Sequence, residues 1–110
     1  MRNLVFLVGS KAELDAFPAK AKQAAGRQLM MVQLGHDPVD WKPMASVGAG
    51  AAEIRIKDET GAYRVIYVAK FKDSVYVLRC FKKQSQKTSQ RDLDTAAARY
   101  RLAVRQRPSD

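Results

Sequence analysis

The chain has 110 residues, of which 46% are hydrophobic and 28% charged. That composition fits one folded domain spanning residues 1–110 with a sizeable core, and excludes a disordered or membrane-embedded chain. The formal net charge is +9, and it is unevenly placed: six Lys or Arg and four acids precede residue 51, while fourteen and seven follow. A polyanion is the natural partner of such a surface, nucleic acid being the commonest.

From the N-terminus, Asn3 to Val8 reads as a short strand, too short and too plainly flanked for a signal sequence. No run approaches a membrane span, so a cytoplasmic protein with no membrane partner is expected. Ser10-Lys11-Ala12-Glu13 has capping-box spacing, which predicts a helix from Lys11. Pro18 suits the first turn of a second helix. That helix should run from Ala19 to Leu34 on an Ala21, Ala24, Ala25, Leu29, Val32 stripe and end at Gly35. The two helices form a hairpin expected to lie on one face of a sheet.

His36 to Gly50 reads as a loop, with Pro38, Pro43, Gly48 and Gly50 as breakers and Trp41 as its one large anchor. Trp41 suits either stacking on a base or burial against the helices. His36, Asp37 and Asp40 are expected in turn and capping roles rather than acid–base chemistry.

Glu53 to Thr88 is the stretch the rest of the chain serves. Ala52, Ile54 and Ile56 alternate with Glu53, Arg55 and Lys57, the period-2 pattern of a half-buried strand. Asp58-Glu59-Thr60-Gly61 is a turn signal, with Gly61 free to take a positive φ. A second strand runs from Tyr63 to Lys70, Lys72-Asp73-Ser74 turns the chain, and a third runs from Val75 to Phe81. Short turns imply an antiparallel meander. Each strand carries cations that a core does not need: Arg55 and Lys57, then Arg64, then Arg79 and Lys82.

From Arg79 to Arg91 there are five cations, Arg79, Lys82, Lys83, Lys87 and Arg91, and no acid. Gln84, Ser85, Gln86, Thr88 and Ser89 fill the gaps with short polar groups suited to phosphate contact. Ser89 then caps a last helix with Asp92 and Asp94 in its first turn. Leu93, Ala96, Ala97, Tyr100, Ala103 and Val104 form its apolar stripe, so Tyr100 reads as a packing residue, with a catalytic Tyr reaching a sugar hydroxyl as the alternative. The tail from Gln106 to Asp110 is expected to fray.

The single cysteine, Cys80, sits mid-strand and reads as a buried structural thiol; the single histidine, His36, supports neither a metal site nor a Ser-His-Asp triad. No metal and no cofactor is expected. A cationic floor on a rigid sheet can instead bind a phosphodiester and stabilise charge developing on its oxygens. RNA brings its own nucleophile, the 2′-hydroxyl, and a Lys whose pKa is lowered by neighbouring cations can deprotonate it.

Several segments together resemble a known family. They are E-I-R-I-K-D-E-T-G-A-Y-R-V-I-Y-V, V-Y-V-L-R-C-F-K-K-Q-S-Q-K-T, the helix opening R-D-L-D-T-A-A-A-R-Y, and the loop D-P-V-D-W-K-P-M. The chain resembles the RelE/HigB-like toxins, and more narrowly the phage-derived branch of that superfamily. The resemblance implies an α+β fold: a small antiparallel sheet with an N-terminal helical hairpin on one face and a C-terminal helix. It implies a type II toxin, a metal-independent endoribonuclease that cleaves ribosome-bound mRNA by 2′-hydroxyl attack and so inhibits translation. Its partner would be a cognate antitoxin, often a helix-turn-helix DNA-binding protein.

Carried over by motif, Arg64 contacts the scissile phosphate, and Arg55 and Lys57 hold the RNA and include a candidate base. Lys83 joins them as a catalytic candidate beside Lys82, the pair supporting the phosphates or the leaving group. Lys82, Arg79, Lys87 and Arg91 are the RNA-binding candidates. Relatives often carry His where this chain has Arg79, and Arg does not shuttle protons. The alternative is a catalytically inactive RNA- or partner-binding module on the same fold. A DNA-binding structural protein is suggested by charge alone.

Overall fold

A computed structural model describes residues 1–107. In chain order the elements are β1 (Asn3–Phe6), α1 (Ser10–Asp15), α2 (Ala19–Gln33), β2 (Trp41–Pro43), β3 (Ala51–Asp58), β4 (Gly61–Val68), β5 (Ser74–Lys82) and α3 (Gln90–Gln106). The strands make one five-stranded sheet in the order β1-β5-β4-β3-β2. β3, β4 and β5 are the expected antiparallel meander. β2 extends it antiparallel at one edge, and β1 joins β5 in parallel at the other.

The β3–β4 hairpin closes at the paired Asp58 and Gly61, leaving Glu59 and Thr60 as its turn. Asp58 Oδ1 accepts from the Thr60 N–H at 2.8 Å and from its hydroxyl at 2.6 Å. Gly61 has φ 143°, in a region closed to most side chains. The parity read in the sequence holds. Ala52, Ile54 and Ile56 join Tyr63, Val65 and Val77 in a core covered by α2 through Ala21, Ala25, Leu29 and Val32. The small alanines let helix and sheet approach closely. At the helix end Gly35 takes φ 91°, and the His36 N–H reaches back to the Met31 carbonyl, a left-handed C-terminal cap.

The opposite face is only partly covered. α3 packs Ala96 and Ala103 onto Leu7, Ile66, Val68, Tyr76 and Leu78, and Met44 and Val47 close over the start of β3. Ser89 caps α3 by accepting from the Asp92 N–H, as the sequence suggests. Tyr100 packs in this layer and donates its hydroxyl to the Ala49 carbonyl at 2.6 Å. Beyond this cover β3 emerges: Ala51 and Glu53 are buried, Arg55 is half-buried and Lys57 is exposed.

Three sequence expectations change. The Ser10–Glu13 capping box does not form. Gly9 is the N-cap of α1, Ser10 donates to the Leu7 carbonyl, and Glu13 turns to β5 instead. Two arginines, Arg79 and Arg99, offer that carboxylate a better environment than a helix end. The segment from His36 to Gly50 is not all loop, because Trp41–Pro43 pairs with Ile54–Ala52 as β2. Pro43 is tolerated there because β2 is an edge strand. Trp41 is 37% exposed on that edge rather than buried against the helices. Of the tail expected to fray, Gln106 ends α3, and residues 108–110 lie outside the described residues.

Cys80 is 2% exposed, under α1. Burial pushes its thiol up to about 12, Glu13 pushing the same way against Arg79 and Arg99. The native protein is therefore expected to resist iodoacetamide at pH 8 and to be alkylated once unfolded in guanidinium. Mass spectrometry showing native alkylation at the unfolded rate would contradict the burial.

Candidate nucleic-acid interface

The uncovered end of the sheet gathers cations from four elements. Arg55 of β3 and Arg64 of β4 are direct cross-strand partners, so both side chains rise from the same face. Lys57, two residues beyond Arg55, shares that face by parity and pairs with Ala62. Phe81 of β5 pairs with Arg64, and the Lys83 N–H bonds the Ala62 carbonyl at 2.8 Å, extending the ladder by one residue. Lys83 therefore falls on the Arg64 side. Lys42 of β2 pairs with Glu53 and joins from the far edge.

Like charges placed side by side need something to hold them. Arg64 is almost covered, its side chain 10% exposed. Its Nε lies 3.4 Å from Glu53 Oε1, and its Nη1 donates to the Tyr63 carbonyl at 3.1 Å. Arg55 Nε lies 4.0 Å from the same Glu53 oxygen. The second oxygen, Oε2, accepts from the Thr88 hydroxyl at 2.7 Å. Partial desolvation lowers the Lys83 pKa below the ordinary lysine range, the cations of Arg64, Arg55 and Lys42 lower it further, and Glu53 opposes them.

The structure brings Arg55, Lys57, Arg64 and Lys83 together, and sets the other four candidates apart. Lys82 pairs with Tyr63 and so faces the opposite side of the sheet. Arg79 is committed to Glu13 and Asp92, bridging α1 and α3, and its expected part in binding RNA gives way to a structural one. Lys87 is exposed on the loop that Thr88 anchors, at the rim of the cationic face. Arg91 is exposed in the first turn of α3.

Lys82 and Arg91 instead border a groove of about 730 Å³ beside β5, lined also by Phe17, Pro18, Tyr63 and Cys80. The cationic face lies outside that groove, on an open surface. Backbone recognition of a single strand needs an open basic track rather than a closed cavity.

Sequence reasoning misses Lys42 and Glu53 at this face and gives Thr88 a different role there. Lys42 was hidden because three residues around a proline carry no strand signature. Glu53 was placed on the correct face, but nothing local marks a strand carboxylate as buried. The sequence suits Thr88 to phosphate contact, but its hydroxyl is given to Glu53.

A family described as phage-derived protein Gp49-like matches residues 12–101. The chain belongs to the Gp49-like family. No curated protein sequence matches it. Among solved structures it is similar to a form of the E. coli toxin RelE, with two arginines replaced by alanine, in the free state. The TM-score is 0.65 at 15% identity, covering 90% of this chain and 96% of that one. The family match makes this a Gp49-like chain, and the structural likeness shows that its fold is RelE-like, as the sequence motifs suggest. No helix among its described residues is long and apolar enough to cross a membrane.

Proposed function

We propose that this chain is the toxin of a type II toxin–antitoxin pair, an endoribonuclease that cleaves mRNA on the ribosome and so stops translation. The observation that carries the proposal is Arg64, held almost buried on an open face, with Arg55 directly across from it and Lys42, Lys57 and Lys83 around it. A structural role does not require that many cations on one uncovered patch. The RelE-like fold and the motif resemblance support an antitoxin partner, a helix-turn-helix DNA-binding protein encoded beside the toxin, and a cytoplasmic site of action.

In this mechanism Arg64 and Arg55 bind the scissile phosphate and stabilise the extra charge of the pentacoordinate transition state. Neutral Lys83 takes the proton from the 2′-hydroxyl. The 2′-oxygen forms its bond to phosphorus while the bond from phosphorus to the 5′-oxygen breaks. Lys57 as ammonium gives a proton to that leaving oxygen. The products are a 2′,3′-cyclic phosphate and a 5′-hydroxyl. Lys42 and Lys87 hold flanking phosphates.

The part given to Lys83 sets the pH profile. A base acts in its neutral form, so the single-turnover rate should rise about tenfold per pH unit below the Lys83 pKa. The plateau should begin below the ordinary lysine value, because the folded protein disfavours the ammonium. Lys83→Arg should abolish the rise. Measuring cleavage of message on programmed ribosomes from pH 6 to 10 checks this. A rate that does not rise between pH 6 and 9, or a rise that survives in Lys83→Arg, would contradict Lys83 as the base.

A second reading, an inactive RNA- or partner-binding module, is favoured by one observation: no histidine stands on the cationic face. His36, the single histidine, lies between α2 and β2. On that reading the chain binds RNA and leaves it intact.

A further inference from the structure

Glu53 is an unusual residue to find beneath an anion-binding face. Its side chain is 1% exposed, and among the described residues it is the only buried acid. It lies one step along β3 from Arg55's row, paired with Lys42 on one side and Ile66 on the other. Oε1 faces the Nε atoms of Arg64 and Arg55 at 3.4 and 4.0 Å, and Oε2 takes the Thr88 hydroxyl at 2.7 Å. Neither Nε atom makes a hydrogen bond to Glu53 or to any other described residue, so the carboxylate holds them by charge at ion-pair distance.

Net stability gives little reason to keep such a group. A buried ion pair seldom outweighs the desolvation of its two charges, and an apolar substitute of similar volume is often as stable. A carboxylate close to incoming phosphates also repels them. Its orientation of neighbours is different in kind. The Nη1 hydrogen bond to the Tyr63 carbonyl and the 3.4 Å ion pair between Nε and Glu53 together bias the orientation of the Arg64 guanidinium. Among the described residues Nη2 has no hydrogen-bond partner, and the face it borders is open. The same carboxylate, through Thr88, ties down the loop that carries Lys83 and Lys87.

We infer that Glu53 is a positioning residue: it orients Arg64 and Arg55 for the phosphate and holds the Lys83–Thr88 loop over the site. This rests on the nuclease reading above. Being buried, Glu53 cannot reach RNA, so it is not itself the base. It pre-organises the groups that meet the RNA, and misplacement by about 1 Å costs roughly a hundredfold in rate.

Glu53→Gln keeps the shape and removes the charge. It should lower the single-turnover rate at saturating message about a hundredfold while KM stays near the wild-type value. Independently of any cleavage, ¹⁵N-edited spectra should show Nε–H signals of Arg64 and Arg55 that exchange slowly in the wild type and rapidly in Glu53→Gln. Thr88→Val is the companion variant. It should leave those arginine signals in place and raise KM by loosening the loop.

If the wild type does not cleave RNA, the nuclease reading fails, and the arginine signals still decide whether Glu53 orients the pair. Unchanged rate and unchanged Nε–H exchange in Glu53→Gln would overturn the inference. Should that variant fail to fold, Thr88→Val decides: a wild-type KM with an unchanged loop spectrum would overturn it.

Discussion

Replacing Arg64 by alanine should lower the rate of RNA cleavage by about a thousandfold, the upper end of what one pre-organised donor to a developing oxyanion contributes. The guanidinium sits at the centre of the cationic face, Arg55 beside it across the ladder and Glu53 behind it. Arg64→Lys should recover little, although it keeps the charge. An ammonium cannot engage Glu53 through one nitrogen, the Tyr63 carbonyl through a second and a phosphate through a third in one plane. The variant should stay folded, since Arg55 remains to face Glu53, and circular dichroism checks that. A folded Arg64→Ala protein cleaving within a few-fold of wild type would remove Arg64 from the chemistry.

The second large effect is on stability, at the other ion cluster. Glu13 of α1 takes Arg79 of β5 on one oxygen and, on the other, Arg99 of α3 at 2.8 Å and the Cys80 N–H at 3.2 Å. Arg79 also binds Asp92 at 2.9 Å, and Arg99 Nη1 bonds the Leu78 carbonyl at 2.9 Å. One carboxylate thus ties α1 and α3 to the free edge of β5. Its side chain is 19% exposed, so screening is limited. Glu13→Ala leaves two half-buried guanidiniums short of a counter-charge and a strand N–H unpaired. A loss of about 3 kcal/mol is expected, at the low end for breaking a buried pair. Urea unfolding measures it, and a change under about 0.5 kcal/mol would reduce the cluster to surface decoration.

Glu13 also shows where sequence reasoning stops. Ser10-x-x-Glu13 satisfies a local rule, and the residue answers to partners 66 and 86 positions away. Local patterns record what a residue can do with its neighbours in the chain. They do not record which distant group arrives with a stronger claim. The meander was legible because period-2 alternation from Ala52 to Lys57, with a Gly61 turn, has few other solutions. Ser89, Gly35 and Tyr100 were legible for the same reason, each role being set within its own segment.

The site divides in the same way. Arg55 and Lys57 follow from parity, and Arg64 joins them once the hairpin register is fixed by a two-residue turn. Lys82 and Lys83 are neighbours in sequence, and alternation sends them to opposite faces. Which of the two belongs to the site depends on where β5 pairs with β4, and the bulge at Ile66/Tyr67 shifts that register without a sequence signal. Arg79 is cationic and in the right strand, yet two acids from other elements claim it. Charge counts give the number of cations; only the fold tells which are left for a ligand.

The central claim is that this face cleaves RNA through its own 2′-hydroxyl, and the chemistry of the cut ends tests it most directly. Message from a host induced for the chain, mapped by primer extension beside an Arg64→Ala control, should carry new internal breaks. The upstream fragments should end in 2′,3′-cyclic phosphate and the downstream ones should begin with 5′-hydroxyl. Intact messages with soluble protein present, or new ends bearing a 5′-phosphate, would contradict it.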